Sequence, residues 1–445
     1  MKAYDIRLPE KVNTVIHVLQ NAGFEAFAVG GCVRDSILGK EPEDWDVTTS
    51  AMPEETKALF EKTFDTGIEH GTVTVLLGRE GFEVTTYRID GKYEDSRHPK
   101  EVTFTRSLRE DLWRRDFTIN AMAYNEKDGL IDIFGGLEDL REGKIRCVGD
   151  AEARFSEDAL RILRGVRFAA QLGFSIDGET KAGMRKLAPT LKHISAERIQ
   201  TELIKLLVSG RPGLLREAYE LGITAQFLPE FDRLMETEQE TPHHMYNVGE
   251  HTIHAIENVR PDKILRLTML LHDMGKPAYK TVDENGQAHF KKHALESENI
   301  AKQVLRRLKF DNGTLHQVTR LVRYHDYRMP AEAKEVRRAM NRIGEDIFPR
   351  YMEVRRADVL AQSMYLREEK IRNLDAIEVL HREIREKRQC VSLKELAVTG
   401  RDLIGAGMEP GKEIGEKLEQ LLDLVIGEPE LNTKEELLKL LWKEK

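Results

Sequence analysis

Asp44 and Asp46 are two carboxylates separated by a single tryptophan, and they follow the segment Ala28-Val-Gly-Gly-Cys-Val-Arg-Asp35. On an extended strand, positions i and i+2 face the same side, so both carboxylates can reach one ligand. Carboxylate oxygens suit Mg²⁺, and two such ions orient an attacking hydroxyl and stabilise a leaving pyrophosphate. Glu83, on a later candidate strand, offers a third carboxylate. Gly30 and Gly31 break an apolar run, and glycine lets backbone come close to a ligand. The helix that begins beyond them presents free N–H groups to phosphate oxygens, and Arg34 adds a fixed positive charge. A glycine pair alone is usually a turn, and an Asp-x-Asp alone is usually a solvated loop. The two together are more specific, because Arg114-Arg-Asp-Phe-Thr-Ile-Asn-Ala121 follows.

A second set of chemistry-bearing residues lies between 243 and 358. His251 sits in GEHTIHAI, and the adjacent pair His272 and Asp273 sits in LLHDMGKP. His293, His325-Asp326 and Asp358 follow. The apolar run Ile264 to Leu271 delivers the His-Asp pair to a helix end. Imidazole with carboxylate suits a divalent transition metal, which generates hydroxide near neutral pH or polarises a phosphoryl oxygen.

Two kinds of scaffold must position these groups. The first is α/β: a helix over 9–22, then short strands at 24–29, 44–48, 72–77 and 82–88, with a polar loop from Asp90 to Pro99. Alternating side chains mark the strands. From about Ala151 the pattern is helical, apart from a hairpin expected around Asp283 to Gly286 with Asn285-Gly286 as its turn. The fold class is therefore α+β, with all-α domains after the head. Boundaries near 146, 236 and 386 divide the chain into a head (1–145), two helical domains (146–235 and 236–385) and a tail (386–445). The 445 residues fit several domains. No run approaches the roughly 20 apolar residues of a membrane span, and the N-terminus has no signal-peptide core. Cys32, Cys147 and Cys390 are too few and scattered for a disulfide framework. A cytoplasmic protein is the expectation. The net charge of −8 argues against coating nucleic acid by bulk charge. Phosphate contacts depend instead on local clusters, such as the arginines from Arg154 to Arg167.

GGCVRD, DWD, RRDFTINAMAY, FGGLEDL and EDALRILRGVRFAAQLGF occur in that order over about the first 230 residues. Together they resemble the class II tRNA nucleotidyltransferase and bacterial poly(A) polymerase family. The tail LAVTGRDLIGAGMEPGKEIGEKL is similar to C-terminal segments of the same family. The resemblance implies a polymerase-β-like head in which Asp44 and Asp46 bind Mg²⁺. It also implies that Gly31, Arg34 and Arg115 contact the nucleotide. LLHDMGKP resembles the signature of the HD phosphohydrolase superfamily, which implies His251, His272 and Asp273 as ligands of a transition metal. Asp358 is preferred to Asp326 as the fourth ligand, and His293 and His325 are candidates for a second metal. Some nucleotidyltransferases of the family carry such a domain, with phosphatase or 2′,3′-cyclic phosphodiesterase activity.

Within the family, the segment from Glu157 to Arg167 has a chemical reading. As one helix, it puts Asp158 and Arg161 on a shared face. Arg164 and Arg167 drift round it and line a curved wall. Ionised Asp accepts and Arg donates. Cytosine and adenine both present an amino donor beside a ring-nitrogen acceptor, while uracil and guanine present the reverse. A buried mismatch costs about 1–3 kcal/mol per unpaired group. One Asp/Arg pair therefore accepts C and A without a template. In isolation the same pair would be a surface salt bridge. EDALR resembles CCA-adding members, whereas poly(A) polymerases more often carry Pro-Val there. The long loop from Asp90 to Leu112 likewise resembles full CCA-adding enzymes rather than CC-adding ones. The expected activity is addition of C, C and A to the 3′ end of tRNA from CTP and ATP, with tRNA held by the segments near 150–235 and 386–445. Poly(A) polymerase is the alternative. A hydrolase whose head only binds RNA is the rival from another class, and intact Asp44 and Asp46 argue against it.

Overall fold

The structure, a computed structural model, describes residues 6–90 and 102–442. The expected loop from Asp90 to Pro99 lies almost wholly outside the described residues. The chain forms two compact units, Met1–Pro229 and Glu230–Lys445.

The first unit opens with the helix Glu10–Asn21, whose Val12, Val15, Ile16 and Leu19 are buried on one face. Eleven strands follow among the described residues of this unit: β1 (Ala26–Val29), β2 (Val47–Thr49), β3 (Thr63–Gly67), β4 (Thr72–Leu77), β5 (Glu80–Thr86), β6 (Arg88–Asp90), β7 (Val102–Phe104), β8 (Met122–Asn125), β9 (Gly129–Asp132), and a short parallel pair, β10 (Lys144–Ile145) with β11 (Ser175–Ile176), the latter within the stretch expected to be helical. Seven of them form one mixed sheet in the order β3-β4-β5-β2-β1-β8-β9, and β6 pairs with β7. β1 is buried along its whole length, as a central strand covered on both faces should be. Three strands of the sheet, β3, β8 and β9, carry too weak an alternation to be read from sequence. The expected strand at 44–48 begins only at Val47, so Asp44 and Asp46 precede it, outside regular secondary structure.

A second correction concerns the segment from Glu157 to Arg167, which is not one helix. The helix Ala151–Glu157 ends at Asp158, whose backbone is extended (φ −142°, ψ 105°). A new helix, Leu160–Leu172, follows. The Asp158 Oδ1 accepts from the Leu160 N–H at 3.0 Å. A short acceptor side chain thus competes with the helix for its own backbone donors. The Leu160–Leu172 helix stops at Gly173 in the left-handed region (φ 77°).

The second unit is helical. Its main helices are Val248–Glu257, Lys263–Leu271, His293–Arg307, Asn312–Tyr324, Ala333–Ile343, Phe348–Ala361 and Arg367–Glu386. The expected hairpin pairs Thr281–Val282 with Ala288–His289, and Gly286 supplies the positive φ (76°) of its turn. The segment after 386 has its own core, in which Val398, Leu403, Leu421 and Val425 are buried together.

Candidate active sites

In the first unit, β2 runs parallel to β5 with Val47 opposite Val84. That register sets Asp46, immediately before β2, level with Glu83 on β5. The carboxylates sense one another. Burial pushes the Asp46 carboxyl up, Asp44 adds to this, and Arg115 opposes it. Burial likewise pushes Glu83 up, helped by the charges of Asp46 and Asp44. Three carboxylates that repel one another fit a divalent cation, which would reverse that repulsion.

Gly30 has φ 84°, and a Cβ there would meet the Arg115 Nη1 at 3.0 Å. Glycine is needed for both reasons: the left-handed backbone and the close approach of a guanidinium. Arg34 is buried and donates to Asp35 through Nε (2.8 Å) and to the Asn120 Oδ1 through Nη1 (2.6 Å). Asn120 donates in turn to Asp116 (3.2 Å), which also accepts from the Arg164 Nε (2.8 Å). Burial raises the Asp116 carboxyl, but Arg164, Arg161 and Asn120 outweigh it and hold it at about 2. Arg34 is thus clamped through a chain of fixed partners. A cleft of about 470 Å³ is lined by Gly31, Arg34, Asp44, Asp46, Arg167 and Lys205.

The residues expected to read the base are differently engaged. The Asp158 Oδ2 accepts from Arg198 at 2.6 Å. Arg161 donates to Glu157 and to the backbone carbonyl of Arg114 (2.9 Å). Arg167 pairs with Glu202 and lies 3.7 Å over the Phe168 ring. Arg154, Arg161 and Arg167 are all buried. This arginine cluster is therefore not an open basic patch, because the amphipathic pattern turned it inward against Glu157 and Glu202. Asp116 and Asn120 lay within the RRDFTIN motif without a role. Glu202 and Arg198 come from a distant helix, and no sequence signal marks them.

In the second unit, four histidines and two aspartates converge. His251, His272, Asp273 and His325 are at most 2% exposed, Asp358 6% and His293 7%. The Nδ1 atoms of His272, His293 and His325 each lie 2.7 Å from a backbone carbonyl, and that of His251 lies 3.3 Å from one. A carbonyl only accepts, so each Nδ1 carries the proton and each Nε2 presents a lone pair. The Nε2 atoms of His251 and His272 are 3.3 Å apart, and those of His293 and His325 are 3.1 Å apart. Facing lone pairs at such distances fit a cation between them. Asp273 joins the two pairs. Its Oδ2 lies 3.2 Å from His272 and 3.5 Å from His251. Its Oδ1 lies 3.3 Å from His293 and 3.5 Å from His325. Its Oδ2 also forms an ion pair with the Lys276 Nζ. The Asp358 Oδ1 is 3.1 Å from His251, whereas Asp326 faces Arg328 at the surface. Lys276 is buried between Asp273 (2.7 Å) and Gln239 (2.7 Å). It was legible inside LLHDMGKP but carried no role in the sequence reading. A cavity of about 390 Å³ opens over the cluster.

Three family models match the chain. They are the poly A polymerase head domain over residues 26–146, the probable RNA and SrmB-binding site of polymerase A over 173–235, and tRNA nucleotidyltransferase domain 2 over 289–441. The chain is 35% identical over 429 residues to a CCA-adding enzyme of Lactobacillus helveticus, covering 94% of each. The chain belongs to the CCA-adding enzyme family. A CCA-adding enzyme of Leuconostoc mesenteroides is 50% identical over 214 residues. The chain spans about half the length of the first such relatives, 53% in that one. The crystal structure of a Bacillus stearothermophilus CCA-adding enzyme in complex with CTP is 31% identical, with a TM-score of 0.71 over 96% of this chain and 95% of that one. The fold is that of the family: a nucleotidyltransferase head followed by helical domains. Among the described residues, no helix is long and apolar enough to cross a membrane.

Proposed function

We propose that the first unit adds C, C and A to the 3′ end of tRNA, using CTP and ATP and releasing pyrophosphate. The observation that carries this reading is that Asp44 and Asp46 line a cleft with Arg34, while the β2–β5 register sets Glu83 level with Asp46. The 3′ hydroxyl attacks the α-phosphate, the bond to the β-phosphate breaks, and pyrophosphate leaves. Mg²⁺ held by Asp44 and Asp46 would lower the pKa of the hydroxyl and offset charge on the leaving group. Arg34 and Arg115 hold the nucleotide; Asp35 and Asn120 fix Arg34 and Asp111 pairs with Arg115 at 3.5 Å, so catalysis rests on positioning and charge. Asp158 accepts from the amino group of C or A, and Arg161 donates to the ring nitrogen beside it. For that, each must give up a present partner, Arg198 for Asp158 and Glu157 for Arg161. Arg164 and Arg167 complete the wall of this site. tRNA and both nucleotides are the partners, and a cytoplasmic location follows from that substrate. The four-domain division at 146, 236 and 386 belongs to the same proposal. The test is incubation with tRNA lacking its last three nucleotides, with CTP, ATP or both. Addition of CC with CTP alone, and of CCA with both, is expected. Long A-tracts from ATP alone would overturn the reading.

The second unit supports a separate activity, a metal-dependent phosphohydrolase of HD type. Its support is the face-to-face arrangement of imidazole lone pairs around Asp273. His251, His272, Asp273 and Asp358 would hold one transition metal, and His293 and His325 a second, with Asp273 shared. Such ions supply hydroxide near neutral pH and polarise the phosphoryl oxygen. Lys276 and Lys370 line the cavity and complement phosphate charge. Loss of hydrolysis in His272→Ala with Asp273→Ala, at unchanged nucleotide addition, is the expected outcome.

A further inference from the structure

A phosphoester bound at the histidine–aspartate cluster must leave its organic part at the mouth of the cavity. The inference drawn from that mouth rests on the hydrolase reading above. His243 lines the cavity. Tyr365 lies against it, ring centroids 4.9 Å apart and planes at 63°. Tyr365 is 51% exposed and is flanked by Met364 at 69% and Leu366 at 46%. Three consecutive large apolar side chains facing water call for an explanation.

The run is held firmly. The Ser363 N–H donates to the His243 carbonyl at 2.8 Å, and its hydroxyl donates to the Pro242 carbonyl at 2.6 Å. The Tyr365 N–H donates to the Ser363 Oγ at 3.2 Å. Leu366 sits at φ 53°, a region a leucine avoids unless its surroundings impose it. A continuous path links the ring to the cluster. Asp358 accepts from the Gln362 Nε2 at 3.1 Å, Gln362 accepts from the Lys370 Nζ at 2.6 Å, and Lys370 lies 3.2 Å from the His243 Nδ1. Arg328 and Lys291 line the same cavity. An exposed aromatic beside a cationic rim, next to a polar cavity of about 390 Å³, matches one ligand chemistry: a flat base joined through a sugar to a phosphate.

We propose that Tyr365, supported by His243, is a stacking platform for the base of a nucleoside phosphate whose phosphate lies at the cluster. Water attacks phosphorus, the bond from phosphorus to the sugar oxygen breaks, and that oxygen leaves as a hydroxyl with a proton. The substrate is a free nucleoside phosphate or the last nucleotide of an RNA ending in phosphate. Both present the same chemistry, because every base has a π face.

The experiment uses the full chain loaded with Mn²⁺, Co²⁺ or Ni²⁺, with Tyr365→Ala and Tyr365→Phe beside wild type. Three substrates are compared: adenosine 3′-phosphate, a short RNA with a 3′-phosphate, and glycerol 2-phosphate, which lacks a base. Tyr365→Ala should lower kcat/KM about tenfold on either base-bearing substrate, mainly through KM, and leave glycerol 2-phosphate unchanged. Tyr365→Phe keeps the ring and should restore wild-type values. The base-bearing substrate with the larger loss is the source the platform serves. Photolabelling with azidoadenosine monophosphate gives an independent readout and should mark the peptide that carries Tyr365. An equal effect on all three substrates, or none on any, overturns the platform while the hydrolase reading stands. Wild type that hydrolyses none of them overturns the hydrolase reading, and the platform with it.

Discussion

At the residue scale, the first site depends on charges that are fixed before a nucleotide arrives. Asp44→Ala or Asp46→Ala should abolish nucleotide addition while tRNA binding survives in a filter-binding assay. Wild-type rates in either variant would refute the assignment. Asp116 carries a different expectation. Its carboxyl is held at about 2 against an ordinary 3.8. A depressed carboxyl contributes stability that is complete above the unfolded value and lost as pH falls through the folded one. The contribution is about 2 kcal/mol, present above about pH 4 and gone near pH 2. Asp116→Asn removes the titration. Denaturant unfolding of the two proteins should therefore converge as pH falls through that window. Curves that stay parallel would show that Asp116 is not the group responsible.

At the element scale, the break at Asp158 turns two helices about one carboxylate. The same side chain caps the helix Leu160–Leu172 and faces Arg198. Replacement by alanine therefore mixes two effects, loss of a cap worth about 1 kcal/mol and loss of an acceptor. Asparagine caps as well as aspartate, but its amide offers a donor where the carboxylate could only accept. Asp158→Asn should keep the melting temperature close to wild type and lose discrimination against UTP and GTP. Asp158→Ala should lose both. Full selectivity in Asp158→Asn would leave the residue a cap and nothing more. The same break also shows why a helical projection misplaced the arginines: with the helix restarted at Leu160, Asp158 shares no helix face with Arg161.

At the scale of the whole molecule, the two proposed sites differ in donor atoms, oxygen alone in the first unit and nitrogen with oxygen in the second. Their metal preferences should differ. Nucleotide addition should run on Mg²⁺, and hydrolysis on Mn²⁺, Co²⁺ or Ni²⁺. Elemental analysis of the intact protein should find two transition ions per chain. His293→Ala with His325→Ala should leave one, and Asp273→Ala should leave fewer still because it removes the shared ligand. A chelator should lower the melting temperature of wild type, since ions bound only by the folded state stabilise it. An unchanged ion count across these variants would refute the shared centre.

The sequence by itself determined what depends on local order: the paired carboxylates after two glycines, the motifs from GGCVRD to LLHDMGKP, and the turn at Asn285-Gly286. Local periodicity also carried the α+β class and the helical remainder. Tertiary structure alone decided which groups meet. The pairing of β2 with β5 set Glu83 level with Asp46, although 36 residues lie between them. The helix carrying Glu202 drew Arg167 inward, because a buried guanidinium requires a buried partner. Asp273 became the shared group of two histidine pairs because four helix ends converge there. Spacing along a chain fixes which side chains share a face, but contact between distant elements is set by the packing that buries them.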